Sequence, residues 1–186
     1  MSALLQDDEH DIIKRCQGGD GDAYAVLVDR YQSLAYTVAC RMLGDADTAN
    51  DIAQESFLAA YGGLKHFRFG SKFSSWLTSI VLNKCRDHLR SRRPTVGVDE
   101  IAEIRATGRR DPEQEAMAGE SADAVQKALN SLAPDYREAV ILKHIEELDY
   151  QTISEILGVS IAALKVRTHR GREMLRALLE RSGVTP

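Results

Sequence analysis

Cysteine is scarce in this 186-residue chain: Cys16, Cys40 and Cys85 are scattered without a Cys-x-x-Cys spacing. That excludes a disulfide framework and supplies no structural zinc pattern. Long apolar runs are missing too. No stretch approaches the roughly 20 residues a membrane span needs, so no membrane insertion is expected, and the start MSALLQDDEH is acidic where a secretory signal would be basic and then apolar. No segment alternates with period two for long enough to propose a strand. No Gly-rich phosphate loop, GxSxG or HExxH sequence occurs. Excess positive charge is also absent: 24 Lys and Arg stand against 28 Asp and Glu, which excludes a protein that coats nucleic acid by bulk charge. What is present is 44% hydrophobic residues, enough for one or two small cores and too many for a disordered chain. The composition reads as a cytoplasmic protein.

The overall charge hides a segregated pattern. Residues 1–22 hold six acids against Lys14 and Arg15, and residues 94–123 hold eight acids against Arg105, Arg109 and Arg110. Residues 83–93 hold five cations against Asp87, and residues 161–181 hold six against Glu173 and Glu180. Two basic patches thus sit at the ends of two blocks, and Lys/Arg clusters favour phosphate contact.

Helical periodicity dominates both blocks. Tyr24, Leu27, Val28, Tyr31, Leu34, Ala35, Val38, Ala39 and Met42 step by three and four, between a break at Gly18-Gly19 and a stop at Gly44. A further helix carries Ala49, Ile52, Ala53, Ser56, Phe57, Ala60, Tyr61 and Leu64, and another carries Phe73, Trp76, Leu77, Ile80, Val81 and Cys85. HFRFGSK (66–72) between them reads as a loop. From Ser91 to Arg110 the pattern dissolves into a linker, and a helix can restart at Asp111-Pro112 with an acidic cap and proline at its first position. The second block holds helices over Pro134–Glu147, Tyr150–Leu157 and Ile161–Arg181. The expected fold is all-α: two small helical domains joined by a flexible linker.

The segment 149–172 has the grammar of a helix-turn-helix. Asp149 caps a first helix whose Ile153, Ile156 and Leu157 face inward. Gly158 supplies the left-handed turn, Val159 fills the space between the helices, and Ser160 caps the second helix. Phased at about 100° per residue, Leu164, Thr168, Gly171, Leu175, Leu178 and Leu179 form a core face. Ala162, Lys165, Val166, His169 and Arg170 lie opposite, where a recognition helix would reach bases and phosphates in a major groove. Arg167 falls at the core edge, suited to framing or phosphate contact.

The loop between Leu64 and Trp76 interleaves aromatics with cations: His66, Phe67, Arg68, Phe69, Lys72 and Phe73. Rings stack unpaired bases while cations meet phosphates, so the loop suits single-stranded nucleic acid. Asn83 and Asp87 follow, four apart on one helix face beside the basic cluster. Phasing buries Phe73 and Trp76 and leaves Phe67 and Phe69 open to either role. An enzyme would need convergent nucleophiles or ligands. Cys85 and His88 share a metal-compatible spacing, but Cys85 lies on the apolar stripe and lacks a second pair, so a packing cysteine is favoured and no metal or cofactor is expected.

ANDIAQESFLAAY (49–61), FSSWLTSIVLNKCRDHLRSRR (73–93) and LDYQTISEILGVSIAALKVRTHRGRE (148–173) together resemble bacterial sigma factors of the extracytoplasmic-function (ECF) type, the two-domain members of the sigma-70 family. The resemblance runs from about Asp20 to Leu179. It implies a non-enzymatic protein that binds core RNA polymerase and directs promoter recognition, melting and transcription initiation. Residues 1–93 would form the domain for core polymerase and the minus-ten element, 94–123 the linker, and 124–186 the helix-turn-helix domain for the minus-thirty-five element. Asp51, Gln54, Glu55, Phe57 and Leu58 would dock on the clamp helices of the polymerase's largest subunit. His66, Phe67, Arg68 and Lys72, with Asn83, Asp87 and Arg90, would capture the melted minus-ten element. Ala162, Lys165, Val166, Arg167, His169 and Arg170 would meet the minus-thirty-five duplex. The family also implies an anti-sigma factor as a partner. The chain departs from the family at Ala162-Ala163-Leu164, where Gly-Thr-Val is usual, and at Val166 and Thr168, where Ser and Leu are usual. A two-domain helix-turn-helix regulator acting without polymerase is the alternative; it leaves the 66–72 loop and the Gln54-Glu55 helix without a task.

Overall fold

The computed structural model describes residues 9–92 and 116–183. Among them the regular elements are helical: α1 (Glu9–Gln17), α2 (Gly21–Leu43), α3 (Ala46–Gly63), a 3-10 turn (Leu64–His66), α4 (Phe73–Ser91), α5 (Ala116–Asn130), α6 (Pro134–Val140), a π-helical turn (Ile141–Ile145), α7 (Tyr150–Leu157) and α8 (Ile161–Arg181). The helix expected to restart at Asp111-Pro112 lies outside the described residues. α5 is already running at Ala116, within the segment read as linker.

The caps follow from local chemistry. Asp20 accepts from the Ala23 amide at 3.0 Å and Asp45 from the Thr48 amide at 2.8 Å, each quenching an amide that the first turn leaves unbonded. α2 stops at Gly44, whose φ of 74° lets its N–H return to the Cys40 carbonyl at 2.8 Å. α2 is the axis of the first block, with α1, α3 and α4 against it. Leu27, Val38 and Met42 are fully buried there, each such burial contributing about 1.5–3 kcal/mol. Phe73, Leu77, Val81, Leu82 and Cys85 bring the inner face of α4 into the same core.

Pro134 opens α6, where a missing N–H costs nothing. The chain then widens into the π turn and leaves it through Glu147, whose φ of 53° is left-handed. The helix-turn-helix expected over 149–172 is present. Asp149 caps α7 through the Thr152 amide at 2.9 Å, Gly158 closes it at φ 65°, and Ser160 caps α8 through the Ala163 amide at 3.3 Å. The Ser154 hydroxyl donates to the Val159 carbonyl at 2.7 Å and fixes the turn.

The two blocks do not stand apart. One continuous apolar cluster runs from α1 through α4 into Leu129, Val140, Ile141, Ile153 and Leu164, and polar contacts lock the seam. Gln126 donates to the Arg41 carbonyl at 3.0 Å. Arg137, buried, donates to the Met42 carbonyl at the end of α2 as well as to the carbonyls of Asn130 at 2.5 Å and Leu132 at 3.1 Å. Glu138, also buried, takes a two-pronged hydrogen bond from Arg86 of α4, at 2.6 and 2.7 Å. The composition leaves open one small core or two. The docking was hidden because its decisive residues are charged, and charged residues on a helix read as solvated.

α8 crosses α6 closely at Gly171. A Cβ there would lie 2.7 Å from the Val140 side chain and 3.1 Å from the Tyr136 carbonyl. We expect Gly171→Ala to destabilise the chain by about 1–3 kcal/mol through overpacking, read as a lower Tm in thermal unfolding, despite the better helix propensity of alanine; an unchanged Tm would mean that α6 and α8 separate without cost.

Candidate nucleic-acid interface

The recognition face of α8 is presented as the phasing required. Leu164, Thr168 and Gly171 are buried, while Ala162, Lys165, Val166, His169 and Arg170 are exposed. Val166 is 51% exposed, a large apolar side chain left in water on this face; such a group suits a thymine methyl in a major groove. Arg167 is half-buried and pairs with Asp135 of α6 at 2.9 Å, which ties α8 to its scaffold. Thr168 buries its hydroxyl at a position facing the core.

Around the 66–72 loop the structure divides the aromatics. Phe67 is buried against Trp76, 5.1 Å between centroids, and against Phe73 at 6.1 Å. It is therefore part of the floor. Phe69 stands edge-on to Phe67 at 5.8 Å and keeps 43% of its surface exposed. His66, Arg68 and Lys72 are exposed around it. A cavity of about 470 Å³ lies beside these rings, lined by Glu9, His10, Phe67, Phe69 and Lys72 and closed on another side by Thr152 and Glu155 of α7. α1 buttresses the loop: Gln17 donates to the carbonyls of Leu64 at 3.1 Å and Phe67 at 3.2 Å. Sequence reasoning left α1 without a task because its acidic residues mask the buried Ile12, Ile13 and Cys16.

On α4, Asn83, Asp87 and Arg90 are exposed. Asp87 and Arg90 pair with each other at 3.0 Å, a surface contact of little energetic weight. Asn83 accepts from Arg86 at 2.7 Å, and Arg86 is in turn held by Glu138. Arg86 is thus the residue of this stretch that reaches the second block, while Asn83, Asp87 and Arg90 stay on the outer face. The hydrogen bond from Arg86 to Glu138 is the main cause that raises the guanidinium pKa above its ordinary value, with burial opposing it. Cys85 is fully buried and its thiol is pushed up to about 12, first by burial and then by Glu138, which makes it a packing residue.

α3 offers a separate surface. Asp51, Gln54 and Glu55 are exposed and Leu58 is 75% exposed, the largest apolar exposure on the described surface. Phe57 turns inward, and its carbonyl accepts from the Tyr24 hydroxyl at 2.5 Å. Glu55 pairs with Lys84 at 2.9 Å. Beside Gln54 runs a groove of about 360 Å³ between α2 and α3, lined by Val28, Gln32, Ser33, Tyr36, Asn50, Ala53, Gln54 and Phe57. The α2 side of this groove, Gln32 and Tyr36 above all, was not singled out from sequence; both belong to a helix whose apolar stripe drew the reading to its opposite face. Among the described residues no cluster of His, Cys, Asp or Glu could hold a metal ion, and no helix is long and apolar enough to cross a membrane.

A helix-turn-helix with an outward basic face and a second basic surface with an exposed ring define the class of a two-block helical DNA-binding protein. Comparison with known proteins is specific. Sigma-70 region 2 matches residues 27–95 and Sigma-70 region 4 matches residues 122–175. The ECF RNA polymerase sigma factor SigW of Bacillus subtilis is 37% identical over 177 residues, covering 90% of this chain and 94% of SigW. The RNA polymerase sigma-H factor of Pseudomonas aeruginosa is 32% identical over 187 residues, covering 95% and 96%. Among solved structures, CnrH in complex with the cytosolic domain of CnrY superposes with a TM-score of 0.70 at 27% identity, covering 94% of this chain and 99% of that one. RpoE of Bartonella quintana in complex with the anti-sigma factor NepR gives 0.63 at 25% identity, covering 82% and 94%. The chain belongs to the ECF RNA polymerase sigma factors of the sigma-70 family.

The seam makes a prediction. Glu138→Gln keeps the shape of the side chain and removes the charge that Arg86 answers. We expect it to weaken docking of the blocks by about 2–3 kcal/mol, since hydrogen bonds to charged groups and half-broken buried pairs cost on this scale. Small-angle scattering should then report a larger radius of gyration for the variant; a radius equal to that of the parent chain would show that Arg86–Glu138 does not hold the blocks together.

Proposed function

We propose that this sigma factor divides promoter recognition among three surfaces: α3 with the α2–α3 groove meets core RNA polymerase, the 66–72 loop with the outer face of α4 meets the melted minus-ten element, and α8 meets the minus-thirty-five duplex. The single observation that carries this reading is the placement of two cationic DNA-suited surfaces on separate blocks of a net-acidic chain. Such a chain binds DNA weakly by charge alone and well when a larger enzyme presents both surfaces at the right spacing.

Geometry supports a rearrangement on assembly. The two elements lie about 25 base pairs apart, roughly 85 Å of B-form duplex. A compact body of this length has a radius of gyration of about 16 Å and so measures about 40 Å across. The docked blocks cannot reach both elements. Twenty-three residues separate Arg92 from Ala116, and a chain of that length extends to at most about 75 Å, so the blocks can part without breaking either fold. α3 keeps its outward face open in the docked state, so polymerase can engage it before the blocks separate. The protein supplies binding and orientation while the polymerase supplies the chemistry, and it acts in the cytoplasm with that enzyme. The complex of RpoE with the anti-sigma factor NepR supports an anti-sigma factor as an additional partner that acts on a similar fold.

Run-off transcription with purified core polymerase, with and without the chain, tests the proposal. We expect promoter-specific transcripts only with the chain present. Lys165→Ala and Arg170→Ala should each cost about 1–3 kcal/mol of promoter affinity per lost base contact, seen as reduced upstream protection in footprints. Charge reversal at Glu55 should weaken capture of core polymerase and leave the sequence of the protected site unaltered. Full upstream protection by both α8 variants would remove that helix from the reading.

A further inference from the structure

α1 lies outside the three surfaces just assigned, yet it reaches the aromatic loop. The His10 ring stacks on Phe69 with centroids 3.9 Å apart and planes 29° from parallel. That is how a nucleobase lies on an aromatic side chain. His10 is exposed, so the contact is not a by-product of core packing. Its backbone is nevertheless fixed on both sides: Glu9 accepts from the Tyr31 hydroxyl, and Ile12 and Ile13 are 1% and 2% exposed. Gln17 ties the other end of α1 to the loop carbonyls of Leu64 and Phe67. The opposing ring is carried on the loop, where Gly70 follows Phe69 and leaves open space where a side chain would stand.

We infer that His10 and Phe69 are the two jaws of a stacking clamp for one unpaired base, closed on each other in the free chain. The base enters from the cavity of about 470 Å³ that both rings line. There Lys72 meets the flanking phosphate, helped by the neighbouring Arg68. Two acids also line that cavity, with Lys72 among them as the cation. Glu9 is engaged by Tyr31, and Glu155, hydrogen-bonded by Gln151 at 3.0 Å, belongs to α7 and leaves when the second block parts from the first. Stacking on both faces explains why a short helix carries an exposed imidazole directly over the loop. The inference deepens the assignment of the 66–72 loop to melted DNA and rests on it.

The test uses holoenzyme assembled from core polymerase and the full chain. A non-template strand selected from a random pool by the wild-type holoenzyme is labelled with 2-aminopurine at each melted position in turn. One position should show strong quenching with the wild type. His10→Ala should weaken binding of that strand by about five- to twentyfold, in keeping with the loss of one base–ring stack, and should relieve the quenching at that one position. His10→Phe should retain both. Core capture and upstream duplex protection should not change in either variant. Unaltered affinity and quenching in His10→Ala, with both lost in Phe69→Ala, would overturn the clamp while leaving the loop assignment in place. Tighter binding by His10→Ala would also overturn it, because His10 would then compete with the base. Unaltered quenching in Phe69→Ala as well would overturn the loop assignment and the clamp with it.

Discussion

Two adjacent charges, Arg137 and Glu138, are buried where the second block meets the first, and the rest of the arrangement depends on how they are satisfied. A buried charge without a partner costs several kcal/mol. Each finds a partner across the seam: Arg137 the Met42 carbonyl at the end of α2, and Glu138 the Arg86 guanidinium of α4. Arg137 also has the Asn130 and Leu132 carbonyls of its own block, whereas the only partner of the Glu138 carboxylate among the described residues is Arg86. Burial of Glu138 against Arg86 therefore makes the docked state specific, with the Arg137–Met42 contact and the apolar cluster that runs through both blocks adding attraction. The same contacts determine what the free chain can present. Arg86 is turned to the seam and α7 closes one side of the loop cavity, while Leu58, Gln54 and the outer face of α8 stay in water.

Much of this was legible in the sequence because it is local. The caps Asp149 and Ser160, the left-handed Gly158 and the inward face of Leu164, Thr168 and Gly171 all follow from rules that act over a few residues. So does the α3 stripe. What escaped depends on distant partners. Phe67 and Phe69 are two residues apart in one loop, and only the fold decides that Trp76 and Phe73 bury the former while the latter faces His10. Arg137 and Glu138 look like the solvated side of a helix until α2 and α4 are placed over them. Tyr36 and Gln32, along one side of the α2–α3 groove, carried no periodic signal of their own.

The departures from the family pattern now have places in the fold. Thr168 stands in the core of the helix-turn-helix, where the family usually has leucine, and is a matter of packing. Val166 stands on the outer face, where serine is usual, and puts an apolar side chain in water beside Lys165 and Arg170.

The central claim is that the docked blocks must part for the chain to reach both promoter elements. A distance measured between labels on Leu58 of α3 and Met174 of α8, both exposed, tests it most directly. In the free chain the separation should match a docked body of about 40 Å. In holoenzyme on a promoter it should lengthen by tens of ångströms. An identical distance in both states, with transcription intact, would contradict the account.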